Sequence, residues 1–141
     1  MSATNKLQGL CNINYWAKDV KAARKWYTEL LGIDPYFERP DPENPAYVEF
    51  RIGDYKHELG IIDSQYAPKG SAKEPGGAVA YWHVRDVEEM LKKLIDLGAK
   101  EFAPVTHHES GFTTASVIDP FGNVLGIMYN PHYLEILNSG K

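Results

Sequence analysis

Few residues in this chain carry side chains able to do chemistry, and their spacing sorts them. His83 and Glu58 are the candidates for acid–base work. An imidazole with a reference pKa near 6.5 can shuttle a proton at neutral pH, and a carboxylate can orient it or act as the base. His57 precedes Glu58, but neighbours on a strand point to opposite sides, so the two are not expected to chelate together. His107, His108 and Glu109 form a second cluster in what reads as a loop, where His107 and Glu109 could converge on a displaced ion. None of these groups has the spacing of a zinc helix or a calcium loop. Cys11 is the only cysteine, which excludes an internal disulfide and a cysteine metal cluster. It has no basic neighbour to activate it and reads as a buried thiol in an apolar strand. No glycine-rich phosphate loop is present, and Glu109-Ser110-Gly111 lacks the frame of a serine nucleophile elbow.

Polar and aromatic side chains that could hold a ligand alternate on two strands. Leu10 to Ala17 divides into a face with Asn12, Asn14 and Trp16 and a more apolar face with Cys11, Ile13 and Tyr15. Ala78 to Val84 divides likewise, with Val79, Tyr81 and His83 opposite Ala80, Trp82 and Val84. The more apolar sets are expected to pack under helices. The remaining faces offer amide donors and acceptors, an imidazole, and flat rings with a polar handle. The closing strands add Glu58, Gly60 and Ile62, then Val124, Gly126 and Met128, if their registers match.

The elements that must position these residues occur twice. Asp19-Val20 opens a helical pattern that ends at Leu31-Gly32, and Asp86-Val87 opens another that ends at Leu97-Gly98. Asp86 stands 67 residues after Asp19, and Gly126 stands 66 after Gly60. Each Asp is a good N-cap, and Glu89 completes a capping box with Asp86. Gly32 suits a left-handed C-cap and Gly98 a helix stop. The three prolines in Arg39 to Pro45 exclude regular structure there. Short strands are predicted at Ile33 to Glu38 and Lys100 to Pro104. A hairpin is predicted at Tyr47 to Ile52 and Lys56 to Ile62, and further strands at Phe112 to Ile118 and Val124 to Tyr129. Asp119-Pro120-Phe121-Gly122 has the composition of a type I turn. The reading is therefore an internal duplication of a β-α-β-β-β unit, of the α+β class. The first module covers 9–62, a linker 63–77, the second module 78–130 and a tail 131–141, in which Pro131 to Leu137 is expected to form one short helical turn. Residues 1–8 read as a loose arm.

At 141 residues and 43% hydrophobic content, the chain is long enough for one compact body or for two half-size modules sharing a core. A formal charge of −4 gives no basic footprint for nucleic acid or anionic lipid, so neither is expected as a partner. No apolar run is long enough to span a bilayer, and no signal-peptide stretch opens the chain. The cytoplasm is the expected location.

Asn12 to Gly32, Val84 to Val87 and Asp119 to Gly126 together resemble the vicinal oxygen chelate superfamily, the glyoxalase/bleomycin-resistance/dioxygenase group. The resemblance runs from about Leu10 to Tyr129. It implies paired modules that curl into an open, curved barrel of mixed sheet, a homodimer, and in the enzymes one divalent metal held by His and Glu. Those ligand places fall here at Asn12, Gly60, Val79 and Gly126. None is a His or a carboxylate, and glycine and valine offer no side-chain donor. The resemblance therefore implies a metal-free branch, with no cofactor. The expected function is binding of a small aromatic or cyclic molecule, as in antibiotic or toxin sequestration. The ligand-binding residues are expected to be Asn12, Asn14, Trp16, Glu58, Tyr81, His83 and Met128. The alternative is a glyoxalase-like lyase, isomerase or dioxygenase that uses a displaced metal or His83/Glu58 acid–base chemistry. A third possibility is an interaction module whose interior is filled by side chains.

Overall fold

In the computed structural model, which describes residues 5–140, the chain forms two similar β-α-β-β-β modules. The described residues divide into two compact units, one through Ala67 and one from Pro68 onward.

In the first unit, β1 (Asn12–Ala17) leads into α1 (Val20–Leu31), β2 (Phe37–Arg39), β3 (Tyr47–Ile52) and β4 (His57–Asp63). The four strands form one open mixed sheet in the order β1-β4-β3-β2. β1 and β4 are parallel, while β4, β3 and β2 run antiparallel. Capping sets the helix ends as expected. Asp19 Oδ1 accepts from Ala22 N at 3.0 Å; the Gly32 N–H donates to Thr28 O, and its φ of 71° then turns the chain out of the helix. Val20, Ala23, Trp26 and Tyr27 are the buried face of α1. The core of this unit is completed by Tyr15, Val48, Phe50, Leu59 and Ile61.

The second unit repeats the plan with β5 (Tyr81–His83), α2 (Val87–Asp96), β6 (Lys100–His107), β7 (Thr113–Ile118) and β8 (Val124–Tyr129). Its sheet order is β5-β8-β7-β6. Asp86 Oδ1 accepts from Glu89 N at 3.0 Å, and Val87 and Leu94 are buried with Ala115, Val117, Leu125 and Ile127. The predicted turn forms at Asp119. Its carboxylate is buried and accepts from Phe121 N at 2.9 Å and Asn123 N at 2.8 Å.

Cys11 is exposed and precedes β1, which starts at Asn12 rather than Leu10. The run that was expected to bury it lacks a ladder partner before the Asn12–Glu58 pair. The second opening strand is only Tyr81–His83, because pairing with β8 covers only those three residues. β2 starts at Phe37, after the Tyr36 N–H has bonded Glu49 O at 3.0 Å. β6 extends to His107, through two register shifts, of which the one between Ala103 and Thr106 accommodates Pro104. The tail is a nine-residue helix, α3 (Pro131–Ser139), with Asn130 as N-cap. Residues 1–4 of the expected arm lie outside the described residues; 5–10 are exposed. Among the described residues, no helix is long and apolar enough to cross a membrane.

Candidate functional site

Strand register arranges the polar side of the first sheet as three rows, because paired residues share a face. Asn12 pairs with Glu58, and Glu58 with Arg51. Asn14 pairs with Gly60, Gly60 with Glu49, and Glu49 with Phe37. Trp16 pairs with Ile62, Ile62 with Tyr47, and Tyr47 with Arg39. The alternate residues, Ile13, Tyr15, Val48, Phe50, Leu59 and Ile61, face the other way. All but half-buried Ile13 are buried. Alternation in β1, β3 and β4 thus separates core from site.

Gly60 is the hinge of this arrangement. A Cβ there would collide with Asn14 Oδ1 and come within 3.0 Å of Tyr47 Cε1 and 3.1 Å of the Tyr47 hydroxyl. Without one, the amide and the phenol both lie over the backbone. Tyr47 donates its hydroxyl to Glu49 Oε1. Arg51 Nη1 holds Glu58 Oε1 at 3.0 Å, and its guanidinium lies 4.6 Å above the Tyr36 ring. The Phe37 ring meets the Tyr47 ring edge-on at 5.9 Å.

The charges of this face act on one another. Burial raises the pKa of Glu49, the negative charge of Glu58 raises it further, and Arg51 opposes both. Burial also raises Tyr47; a hydrogen bond from Asn12 opposes it and the Glu58 charge adds to it. The result is a half-buried network that can accept, donate and hold a proton.

The equivalent face of the second sheet has two rows. Tyr81 pairs with Gly126, which pairs with Ser116, and His83 pairs with Met128, which pairs with Thr114. Here the space beside the glycine is filled from β5 and the residues before it. A Cβ on Gly126 would lie 2.7 Å from Tyr81 Cδ1, 2.8 Å from Ala80 O and 2.9 Å from Val79 Cγ1. His83 is half-buried, and its Nε2 is buried with no hydrogen-bond partner. Tyr133 stacks on its ring at 5.1 Å and 24°, and Tyr129 stands 5.7 Å away. Burial, and secondarily the charge of Arg85, lowers the His83 pKa.

The expected site residues thus separate into two groups. Asn12, Asn14, Trp16 and Glu58 share a face in the first unit, and Tyr81, His83 and Met128 share one in the second. Glu58 is engaged by Arg51. Tyr47, Glu49 and Arg51 were absent from the expected set. Their signal was present: in Tyr47 to Ile52 the polar Tyr, Glu and Arg alternate with Val48, Phe50 and Ile52. Only the register shows that this polar side joins Asn12, Asn14 and Glu58.

The donor set does not fit a metal. The four implied places hold Asn12, Gly60, Val79 and Gly126, and neighbouring side chains occupy the space beside both glycines. Among the described residues, no group of three or more His, Cys, Asp or Glu could hold an ion. The displaced site at 107–109 does not form either. His107 lies in β6 with Nε2 3.4 Å from Glu88 and Nδ1 3.3 Å from Thr113 Oγ1, while His108 turns to Thr114 Oγ1 at 2.8 Å.

Comparison with known proteins agrees with this architecture. The model of the Glyoxalase/Bleomycin resistance protein/Dioxygenase superfamily matches residues 9–127. Similar solved structures include a glyoxalase-related enzyme from Fulvimarina pelagi, at 22% identity and a TM-score of 0.69, covering 89% of this chain and 90% of that one. A lactoylglutathione lyase from Agrobacterium tumefaciens has 18% identity and a TM-score of 0.67, covering 91% and 98%. TioX from Micromonospora sp. ML1 has 15% identity and a TM-score of 0.64, covering 86% and 98%. At these identities the likeness concerns the fold. No curated protein sequence matches the chain.

Proposed function

The chain belongs to the Glyoxalase/Bleomycin resistance protein/Dioxygenase superfamily, and from that premise we propose that it binds a small cyclic or aromatic molecule without a metal. The observation that carries this reading is Gly60. It sits at an implied metal-ligand place, and the space beside it is used by Asn14 and Tyr47, which are recognition groups rather than divalent-metal ligands. Around them the face offers amide, phenol, carboxylate and aromatic surface, the mixture that fixes a small organic molecule by a few placed polar contacts. Sequestration of an antibiotic or toxin follows from such binding when no bond changes. By the family likeness the protein acts as a homodimer, and the lack of a long apolar run in the sequence supports a place in the cytoplasm.

The test is a thermal-shift screen with planar organic compounds, run beside elemental analysis of protein purified without chelator. Stabilisation by such a compound in protein lacking stoichiometric metal is expected, and Asn14→Ala should weaken it. A blank screen together with stoichiometric nickel, zinc, iron or manganese overturns the reading. Sedimentation at working concentration tests the dimer.

One observation favours a second reading, a metal-free acid–base catalyst. Tyr47 and Glu49 are hydrogen-bonded on one face, and Glu49 holds its proton more firmly than an ordinary carboxylate. Turnover of a bound compound that Glu49→Gln abolishes without loss of binding would establish it.

A further inference from the structure

The first unit places an arginine over an aromatic ring twice. The Arg51 guanidinium lies 4.6 Å from the centre of the Tyr36 ring, and its Nη1 meets Glu58 Oε1 at 3.0 Å. The Arg39 guanidinium lies 4.5 Å from the centre of the Phe37 ring. One ring cannot satisfy a guanidinium, whose five N–H donors fan out in its own plane. At Arg51 a carboxylate meets that need. At Arg39, among the described residues, no ion pair or side-chain hydrogen bond does. Glu38, its neighbour in sequence, pairs with Arg24 at 3.3 Å. The ladder places Arg39 on the face of the candidate site: Arg39 pairs with Tyr47 as Phe37 pairs with Glu49. Ala46 N donates to Arg39 O at 2.6 Å, which fixes the backbone of this row.

We propose that Arg39 anchors a carboxylate, so that the ligand of this face is an aromatic acid whose rings extend from Arg39 toward Tyr47 and Asn14. The inference rests on the ligand-binding reading above, names its ligand class and lies wholly within the first unit. A carboxylate accepts two parallel N–H groups of a guanidinium, fork to fork. Phe37 already restricts the Arg39 side chain, so less freedom is lost when the acid docks. Neighbouring strands lie about 4.8 Å apart, so about 10 Å separates β2, which carries Arg39, from β4, which carries Gly60. Two fused rings bearing a carboxylate reach across most of that distance. The other charges of the face favour an anion over a cation. Arg51 holds Glu58, and Glu49 accepts from Tyr47, so a cationic ligand finds both carboxylates engaged. Of the two arginines on this face, Arg39 is the exposed one with no carboxylate of its own.

The experiment titrates 2-naphthoate and its uncharged isostere 2-naphthamide into the full chain at pH 7, by calorimetry. Wild type, Arg39→Lys and Arg39→Gln are compared. Wild type should bind the acid about five- to tenfold more tightly than the amide, as one partly exposed charged hydrogen-bond pair allows. Arg39→Gln should weaken the acid to the level of the amide and leave the amide unchanged. Arg39→Lys keeps the charge without the fork and should fall between them. Arg39 is exposed, so both variants should fold, and equal urea midpoints check this. Equal binding of acid and amide by wild type, or a preference that survives Arg39→Gln, overturns the anchor and leaves the binding reading intact. No binding of either compound overturns the inference, whereas the binding reading falls only if the wider thermal-shift screen is also blank.

Discussion

Tyr47 and Glu49, two residues apart on β3, are joined by a hydrogen bond from the phenol to the carboxylate, on the face that also carries Asn14 and the Arg51–Glu58 ion pair. Glu49 holds its proton above the ordinary glutamate value of 4.5, chiefly because burial penalises the charge. The folded state therefore binds more protons than the unfolded chain just above that value, and stability falls as pH rises through the window. Glu49→Gln keeps an acceptor for Tyr47 and removes the charge. Its stability should be less dependent on pH between about 4.5 and neutrality, and higher than wild type at pH 7, as read by urea midpoints across pH. A Gln variant that tracks wild type at every pH would contradict this electrostatic account.

His83 has the opposite sign. Its folded pKa lies below 6.5 because burial and Arg85 oppose the imidazolium. The unfolded chain takes up the proton first, so stability is complete above 6.5 and is lost as pH falls toward the folded value. The expected observation is a melting temperature that declines on acidification from pH 7. His83→Phe, which retains a ring for Tyr133, should reduce that decline. An unchanged acid limb in the variant would show that other groups cause it.

Gly60 and Gly126 occupy equivalent ladder positions with unequal surroundings. At Gly60 a methyl group meets the ends of two side chains, Asn14 and Tyr47. At Gly126 it meets Val79, Tyr81 and the Ala80 carbonyl at 2.8 Å, which also accepts from Gly126 N. Backbone yields less than a side chain. Gly60→Ala should cost about 1–2 kcal/mol and reduce ligand affinity by moving Asn14 and Tyr47, and Gly126→Ala about 3 kcal/mol or more. Denaturant titration of both gives the order, and the reverse order would refute the packing argument.

Asp119 is a carboxylate enclosed by donors at the turn between β7 and β8. Replacing it with alanine leaves Phe121 N and Asn123 N without their acceptor in a part-buried turn. A loss of about 2–3 kcal/mol is expected from hydrogen bonds to a charged group. Asp119→Asn should lose less, because one acceptor oxygen remains. Equal losses in the two variants would mean that side-chain volume, not hydrogen bonding, sets the role of Asp119.

The sequence by itself determined the repeat, the two capped helices and the family, because these depend on local signals. Asp19, Asp86, Gly32 and Asp119 act through neighbours within four residues, and the apolar stripe of α1 is read from spacing alone. The strand alternation also identified Asn12, Asn14, Tyr81 and His83 as one side of their strands. What the chain order could not supply is which strand lies beside which. Only pairing of β3 with β4 puts Tyr47, Glu49 and Arg51 around Gly60, and only α3 folding back puts Tyr133 on His83. The ends of short strands were likewise settled by partners: β5 keeps just the three residues that β8 can match, and Cys11 falls outside the ladder. Contacts between distant segments carry no local periodicity, so Tyr47, Glu49 and Arg51 joined the candidate site only when the first sheet was assembled.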